Sequence, residues 1–123
     1  MTIQECYQRL GGDYARTEKR MSSGSLVRRF IVRFPEDGSF SELCAAMEEG
    51  ARGRAFRAAH TLKGVSGSLG LDRLYASASL LTELLRPEAE AIPEGAHALF
   101  EDVTRDYRLT VSAIRAYMES AAP

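Results

Sequence analysis

The sequence is short of the side chains that usually build a catalytic or metal centre. Its two cysteines, Cys6 and Cys44, are too few and too far apart in sequence for a ligand set or a disulfide framework, so reduced core thiols are expected. It has two histidines, His60 and His97. No second His, Cys or Asp stands at i+3 or i+4 from His60, the spacing that builds a metal site on a helix, and no metal is expected. His97 reads as a solvated side chain. An excess of positive charge is also missing: the formal net charge is −1, which argues against a nucleic-acid binder working through bulk electrostatics. No stretch approaches the roughly 18 consecutive apolar residues of a membrane span, and the opening MTIQECYQRLGGDY lacks the apolar run of a signal peptide. A cytoplasmic protein is therefore expected. No glycine-rich phosphate loop, paired catalytic carboxylates or dinucleotide fingerprint is present, and no cofactor is expected.

What the chain does have is helical spacing in nearly every segment, with no period-2 alternation of the kind a half-buried strand needs. At 123 residues, 45% apolar and 27% charged, it has the size and balance of one domain with a single core, spanning 1–123. Residues 2–10 predict a short helix stopped by Gly11-Gly12, and Asp13 a capped second one to about Met21. Ser-Ser-Gly-Ser at 22–25 breaks the pattern. Residues 25–34 put Leu26, Val27, Phe30, Ile31 and Phe34 on one apolar face, and Pro35 ends that helix by pushing Phe34 away from α geometry. Ser39 predicts an N-cap for 40–49, with Glu42 completing a capping box. Gly50 closes it. Helices follow over 52–69, over 72–86 with a seam of Leu74, Ala78, Leu81 and Leu85 stapled by Leu71, and over 94–119. The last carries Leu99, Val103, Tyr107, Val111, Ile114 and Met118. The expected fold is all-α: an antiparallel four-helix bundle with one or two short N-terminal helices as a lid.

The most informative stretch is AAHTLKGVSGSLG, residues 58–70. At about 100° per residue, Ala55, Phe56, Ala59, Leu62, Ser66 and Leu69 share a core-facing arc of roughly 140°. His60, Lys63, Gly64 and Gly67 share a second arc of about 100° on another side of the helix, so His60 is expected in solvent. A glycine inside a helix is unfavourable by about 1 kcal/mol relative to Ala. Gly64 and Gly67 therefore suggest a bare track that another protein's backbone approaches closely. Gly70 reads instead as a helix C-cap.

One exposed histidine narrows the chemistry. A Ser-His hydrolase needs an orienting carboxylate and an oxyanion hole, and neither Ser66, on the core stripe, nor Ser68, near the helix end, reaches His60. An autonomous enzyme is not expected. What remains is nucleophilic catalysis in its barest form: imidazole accepts a group from a partner and passes it on. A phosphoryl group fits, because neutral imidazole is a nucleophile near pH 7 and Lys63, one turn along, can neutralise phosphoryl charge. Spacing alone does not separate this from a solvated His and Lys on a polar face.

His60-Thr61-Leu62-Lys63-Gly64, followed by Ser66, Gly67, Leu69 and Gly70 within AFRAAHTLKGVSGSLGLDRL, and the later LLTELLR, resemble the histidine-phosphotransfer (HPt) domain family. The similarity is strong over about residues 40–86 and looser at both ends. It implies a four-helix bundle whose exposed His60 exchanges phosphate with an aspartate of a response-regulator receiver domain, fed by a histidine kinase or hybrid kinase. It further implies that Lys63 contacts the phosphoryl group, that Gly64 lets the receiver dock, and that the magnesium ion used in transfer belongs to the receiver. The docking face then takes in Gly64 and Gly67, with Ala58, Thr61, Val65 and Ser68 at its edges and Arg57 supplying charge. Residues 34–39, FPEDGS, interrupt a region that is often one continuous helix in the family. With no ATP-binding module or receiver of its own, the chain is expected to be a free-standing relay intermediate. The alternatives are an excised kinase domain, an adaptor that inhibits a receiver or kinase without accepting phosphate, and an inert structural bundle.

Overall fold

A computed structural model of the chain describes residues 1–121; Ala122 and Pro123, the end of the terminal Ser-Ala-Ala-Pro, lie outside the described residues. Those residues form α1 (Ile3–Leu10), α2 (Tyr14–Met21), α3 (Gly24–Arg33), a 3-10 turn (Phe34–Glu36), α4 (Ser39–Glu49), α5 (Arg52–Ser68), α6 (Asp72–Leu85) and α7 (Ala96–Ala121), with no strand among them. The architecture is an all-α bundle. Helices α4 to α7 pack in chain order, with short turns between α4, α5 and α6 and the longer connection 86–95 before α7, in the up-and-down order of an antiparallel bundle. Phe40 of α4 joins the first to the last, its ring lying 4.0 Å from that of Tyr107 and 6.3 Å from that of Phe100, both on α7. The two short N-terminal helices do not lie as a loose lid: α1 packs along α7, and α2 against α3. No described helix is long and apolar enough to cross a membrane.

Local chemistry sets the boundaries. Thr2 and Glu5 form a capping box at α1: the Thr2 hydroxyl accepts from the Glu5 N–H at 3.1 Å, and the Glu5 carboxylate accepts from the Thr2 N–H at 3.3 Å. Asp13 caps α2 through the Arg16 N–H at 3.0 Å. Ser23 caps α3 through the Leu26 N–H at 3.1 Å, so the presumed break at 22–25 is a cap. Ser39 is not the N-cap of α4. That place falls to Gly38, and Ser39 is the first helical residue, its N–H and hydroxyl both donating to the Asp37 carboxylate. Glu42 is thereby free to leave the capping box and accept from Arg54 of α5 at 2.8 Å. Phe34 stays in α geometry before Pro35, at φ −55° and ψ −40°. Its ring is buried, 5.9 Å from that of Tyr107, and its carbonyl accepts from the Asp37 N–H at 2.9 Å; these contacts outweigh the local preference. FPEDGS therefore remains an interruption, as a tight turn. Leu71 takes the cap position of α6 itself, not the staple position before it. α7 starts two residues later than its spacing suggested, because Gly95 at φ +89° cannot continue a right-handed helix.

The α6 seam is as spaced: Leu74, Ala78, Leu81 and Leu85 are fully buried. On α7, Val103, Val111 and Ile114 are buried, but Met118 is exposed and Tyr117 takes its place. A seven-residue step drifts by about 20° on a straight helix, which carries position 118 off the seam. On α3 only Val27, Ile31 and the following Phe34 are covered, and Phe30 is 46% exposed.

Candidate functional site

The site helix α5 lies between α4 on one flank and α6 on the other, and this sandwich decides which of its faces stays open. Ala55, Ala58, Ala59, Leu62 and Ser66 are buried, whereas Arg57, His60, Thr61, Gly64 and Ser68 are exposed and Lys63 is half-buried. The buried Ser66 hydroxyl is satisfied by the Leu62 carbonyl at 2.7 Å. Two expected positions differ. Ala58 is covered, so it does not edge an open track, and Phe56 leaves the core stripe to lie beside His60, with ring centroids 5.9 Å apart and planes 17° from parallel.

Two cations lie near His60, Lys63 one turn along α5 and Arg86 at the end of α6, each resting near an aromatic ring. The Lys63 Nζ is 6.0 Å from the ring centroid of Tyr75. The Arg86 guanidinium is 5.2 Å from that of Phe56, the same ring that stacks on His60. Arg86 also pairs with Glu83 at 2.9 Å. That pairing, with smaller contributions from Lys63 and His60, holds the Glu83 carboxyl below the usual carboxylate range. Arg57 runs the other way: its guanidinium lies 3.5 Å from where a Cβ on Gly53 would stand, one turn farther from His60, following the general tilt of helical side chains toward the N-terminus. Thr61 spends its hydroxyl on the Arg57 carbonyl at 3.0 Å.

The glycines of α5 have different surroundings. A Cβ at Gly64 would meet nothing within 4 Å, whereas one at Gly67 would stand 3.0 Å from two ring carbons of Tyr75. The open track is thus confined to Gly64. Beside it lies a groove of about 700 Å³ bounded by Met21, Phe30, Phe34, Gly64, Val65 and Ser68, with Arg33, Glu36 and Asp37 at its margin. Gly70 is the helix stop that the sequence indicated: its φ is +68°, its N–H donates to the Gly67 carbonyl and that of Leu71 to the Ser66 carbonyl.

The last turn of α5 is held from outside by the N-terminal helices. The Tyr7 hydroxyl donates to the Leu69 carbonyl at 2.7 Å, and Thr17 donates to the same oxygen at 3.4 Å. Arg20 donates to the carbonyls of Gly67 and Ser68. The Asp13 N–H donates to the Gly70 carbonyl at 3.0 Å, a contact close enough that a Cβ on Gly12 would stand 2.4 Å from that oxygen. Arg16 pairs with Asp72 at the start of α6.

Sequence reasoning missed Tyr75, Glu83 and Arg86 because their relation to the site is made between helices, and it placed Phe56, one turn before His60 on α5, on the core stripe. The signal available was that Tyr75, Glu83 and Arg86 all fall off the α6 seam. The groove had a clearer sign, a large apolar side chain, Phe30, on a helix too short to bury it.

The Hpt domain model matches residues 25–120 of the chain. No curated protein and no solved structure matches it. The matched segment takes in nearly all of α3 and of the four-helix bundle, and members of the family are phosphotransfer carriers of two-component signalling that work with receiver domains and kinases. With an exposed histidine on the central helix and a lysine one turn on, the chain belongs to the Hpt domain family.

Proposed function

We propose that the chain is a phosphorelay intermediate: His60 accepts a phosphoryl group from the aspartyl phosphate of a receiver domain and returns it to the aspartate of another. The observation that carries the reading is the exposure of His60 between two cations, Lys63 and Arg86, on a helix face with an open glycine beside it. An imidazole nitrogen lone pair forms the N–P bond as the P–O bond of the acyl phosphate breaks, and the electron pair leaves with the carboxylate. Charge spreads over the phosphoryl oxygens in the transition state, where a nearby ammonium and guanidinium stabilise it. Phe56 gives the imidazole a flat surface to rest on and gives Arg86 a second contact besides Glu83. An incoming phosphoryl group offers Arg86 a stronger anion than a solvated carboxylate.

Docking uses the groove. Met21, Phe30 and Val65 present apolar area next to Gly64, where backbone of the partner can approach without meeting a side chain. Thr61 and Ser68 flank this face on either side of Gly64, Gly67 is set back from it under Tyr75, and Arg57 lies at its far edge. The N-terminal helices form one carrier with the bundle, since α1 packs on α7 and α2 supplies Met21 to the groove.

The test is to incubate the protein with a panel of receivers carrying labelled aspartyl phosphate and a kinase-free buffer. The expected result is label on the protein that is lost in acid and survives base, as a phosphoramidate does. Binding of a receiver without label would instead identify an inhibitory adaptor, and the proposal would fall.

A further inference from the structure

We propose that Tyr75 is a positioning residue for this transfer: seated on Gly67, its ring holds the Lys63 ammonium at the site before a phosphoryl group arrives. The inference rests on the phosphorelay reading above. It starts from the different surroundings of the two glycines. Gly64 faces open space, but a methyl at position 67 would stand 3.0 Å from Cδ1 and Cε1 of Tyr75. Gly67 is therefore where the ring is admitted against α5. Tyr75 remains 40% exposed and, among the described residues, makes no hydrogen bond through its hydroxyl that would account for its place. What it does face is Lys63, whose Nζ lies 6.0 Å from the ring centroid, at the outer reach of cation–π attraction.

That distance suits a guide better than a partner. A free lysine side chain samples many rotamers, and each must be given up when the ammonium meets the phosphoryl oxygens. An anion that Lys63 also influences is Glu83, already paired with Arg86 at 2.9 Å. A carboxylate in the place of Tyr75 would neutralise Lys63 and compete with the phosphoryl group. An aromatic face orients the cation and leaves its charge to be used.

The experiment compares transfer rates from one phosphorylated receiver to the wild-type protein, Tyr75→Phe, Tyr75→Leu and Gly67→Ala, and repeats Tyr75→Leu in a Lys63→Ala background. Tyr75→Phe keeps the ring and is expected within twofold of wild type. Tyr75→Leu still covers Gly67 but has no π face, and is expected to be about 2- to 5-fold slower. Gly67→Ala makes the ring give by a few tenths of an ångström and is expected to slow transfer by no more than Tyr75→Leu does. In the Lys63→Ala background Tyr75→Leu is expected to have no further effect, because its action passes through the missing ammonium. A Tyr75→Leu rate equal to or above wild type, a Tyr75→Phe rate as low as that of Tyr75→Leu, or a loss that persists without Lys63 would overturn the inference alone. Failure of the wild-type protein to accept any phosphoryl group would overturn the phosphorelay reading and this inference with it.

Discussion

Substitution of Lys63 tests its electrostatic role in the proposed transfer. Lys63→Ala is expected to slow receiver-to-protein transfer by about 10- to 1000-fold, the range for loss of one preorganised electrostatic stabiliser. Lys63→Arg is expected to restore only part, since a planar fork does not take the place of a compact ammonium. Quench-flow measurement of labelled phosphoryl transfer checks both. Gly64 and Gly70 make a second contrast. Gly64→Leu adds a side chain into open space, so thermal unfolding is expected to show a gain of several tenths of a kcal/mol while calorimetry shows weaker receiver binding. Gly70→Ala must hold a φ of +68° and place a methyl 1.9 Å from the Thr17 hydroxyl oxygen, so a loss of at least about 1 to 2 kcal/mol is expected. At this scale the sequence was most legible where helical phase or capping decides. His60 in solvent and Ser66 in the core follow from 3.6 residues per turn, and Gly70 at the stop follows from glycine's place at helix C-caps. Phe56 and Ala58 did not, because each sits near the edge of the buried arc, where the flanking helices α4 and α6 decide what is covered.

Among the elements, α1 and α2 carry the least expected structure. They precede the segment matched by the family model, yet Tyr7, Asp13, Thr17 and Arg20 converge on the last turn of the site helix. Carbonyls at a helix end have no partner within their own helix, and here side chains from another element satisfy them. Tyr7→Phe removes the 2.7 Å bond to the Leu69 carbonyl and is expected to lower stability by about 1 kcal/mol. Hydrogen exchange is expected to speed up first at the amides of residues 69–71 and least in the middle of α5; uniform protection along the helix would contradict the clasp. The short helices themselves were readable from Gly11-Gly12 and the Asp13 cap. Their docking was not, because the residues that make it are ordinary surface types whose partners lie some 50 positions away, from Thr17 to Leu69. The cap of α4 was misread for a related reason. Asp37, Gly38 and Ser39 are all acceptable capping residues; Ser39 is instead tied to the Asp37 carboxylate as the first helical residue, and Glu42 pairs with Arg54 of α5.

For the molecule as a whole, the all-α bundle was legible because the seams of α5, α6 and α7 recur over long helices, and family resemblance and packing agree on which four helices form it. The less regular N-terminal third was resolved only by tertiary contact. Its attachment to α7 gives Cys6 a distinctive environment: the thiol is fully buried, donates to the Ala113 carbonyl at 3.6 Å, and is pushed by burial from 9.0 to about 11. In the unfolded chain the thiol ionises near its usual value, so the folded state holds the proton more tightly between those limits. Stability contributed by Cys6 is present below pH 9.0 and is lost as pH rises toward about 11. Denaturant titrations across that interval are expected to show a steeper decline in the wild-type protein than in Cys6→Ala, which keeps the contribution of the buried Tyr7 hydroxyl, also pushed up by burial.

The central claim is that His60 serves transfer and does not serve the fold. The direct measurement makes His60→Gln and determines two quantities on the same preparation, phosphoryl acceptance from a labelled receiver and unfolding free energy. The account predicts that acceptance disappears while stability stays within about 0.5 kcal/mol of wild type, as expected for an exposed position. Acceptance retained by the variant, or a loss of several kcal/mol in stability, would contradict it.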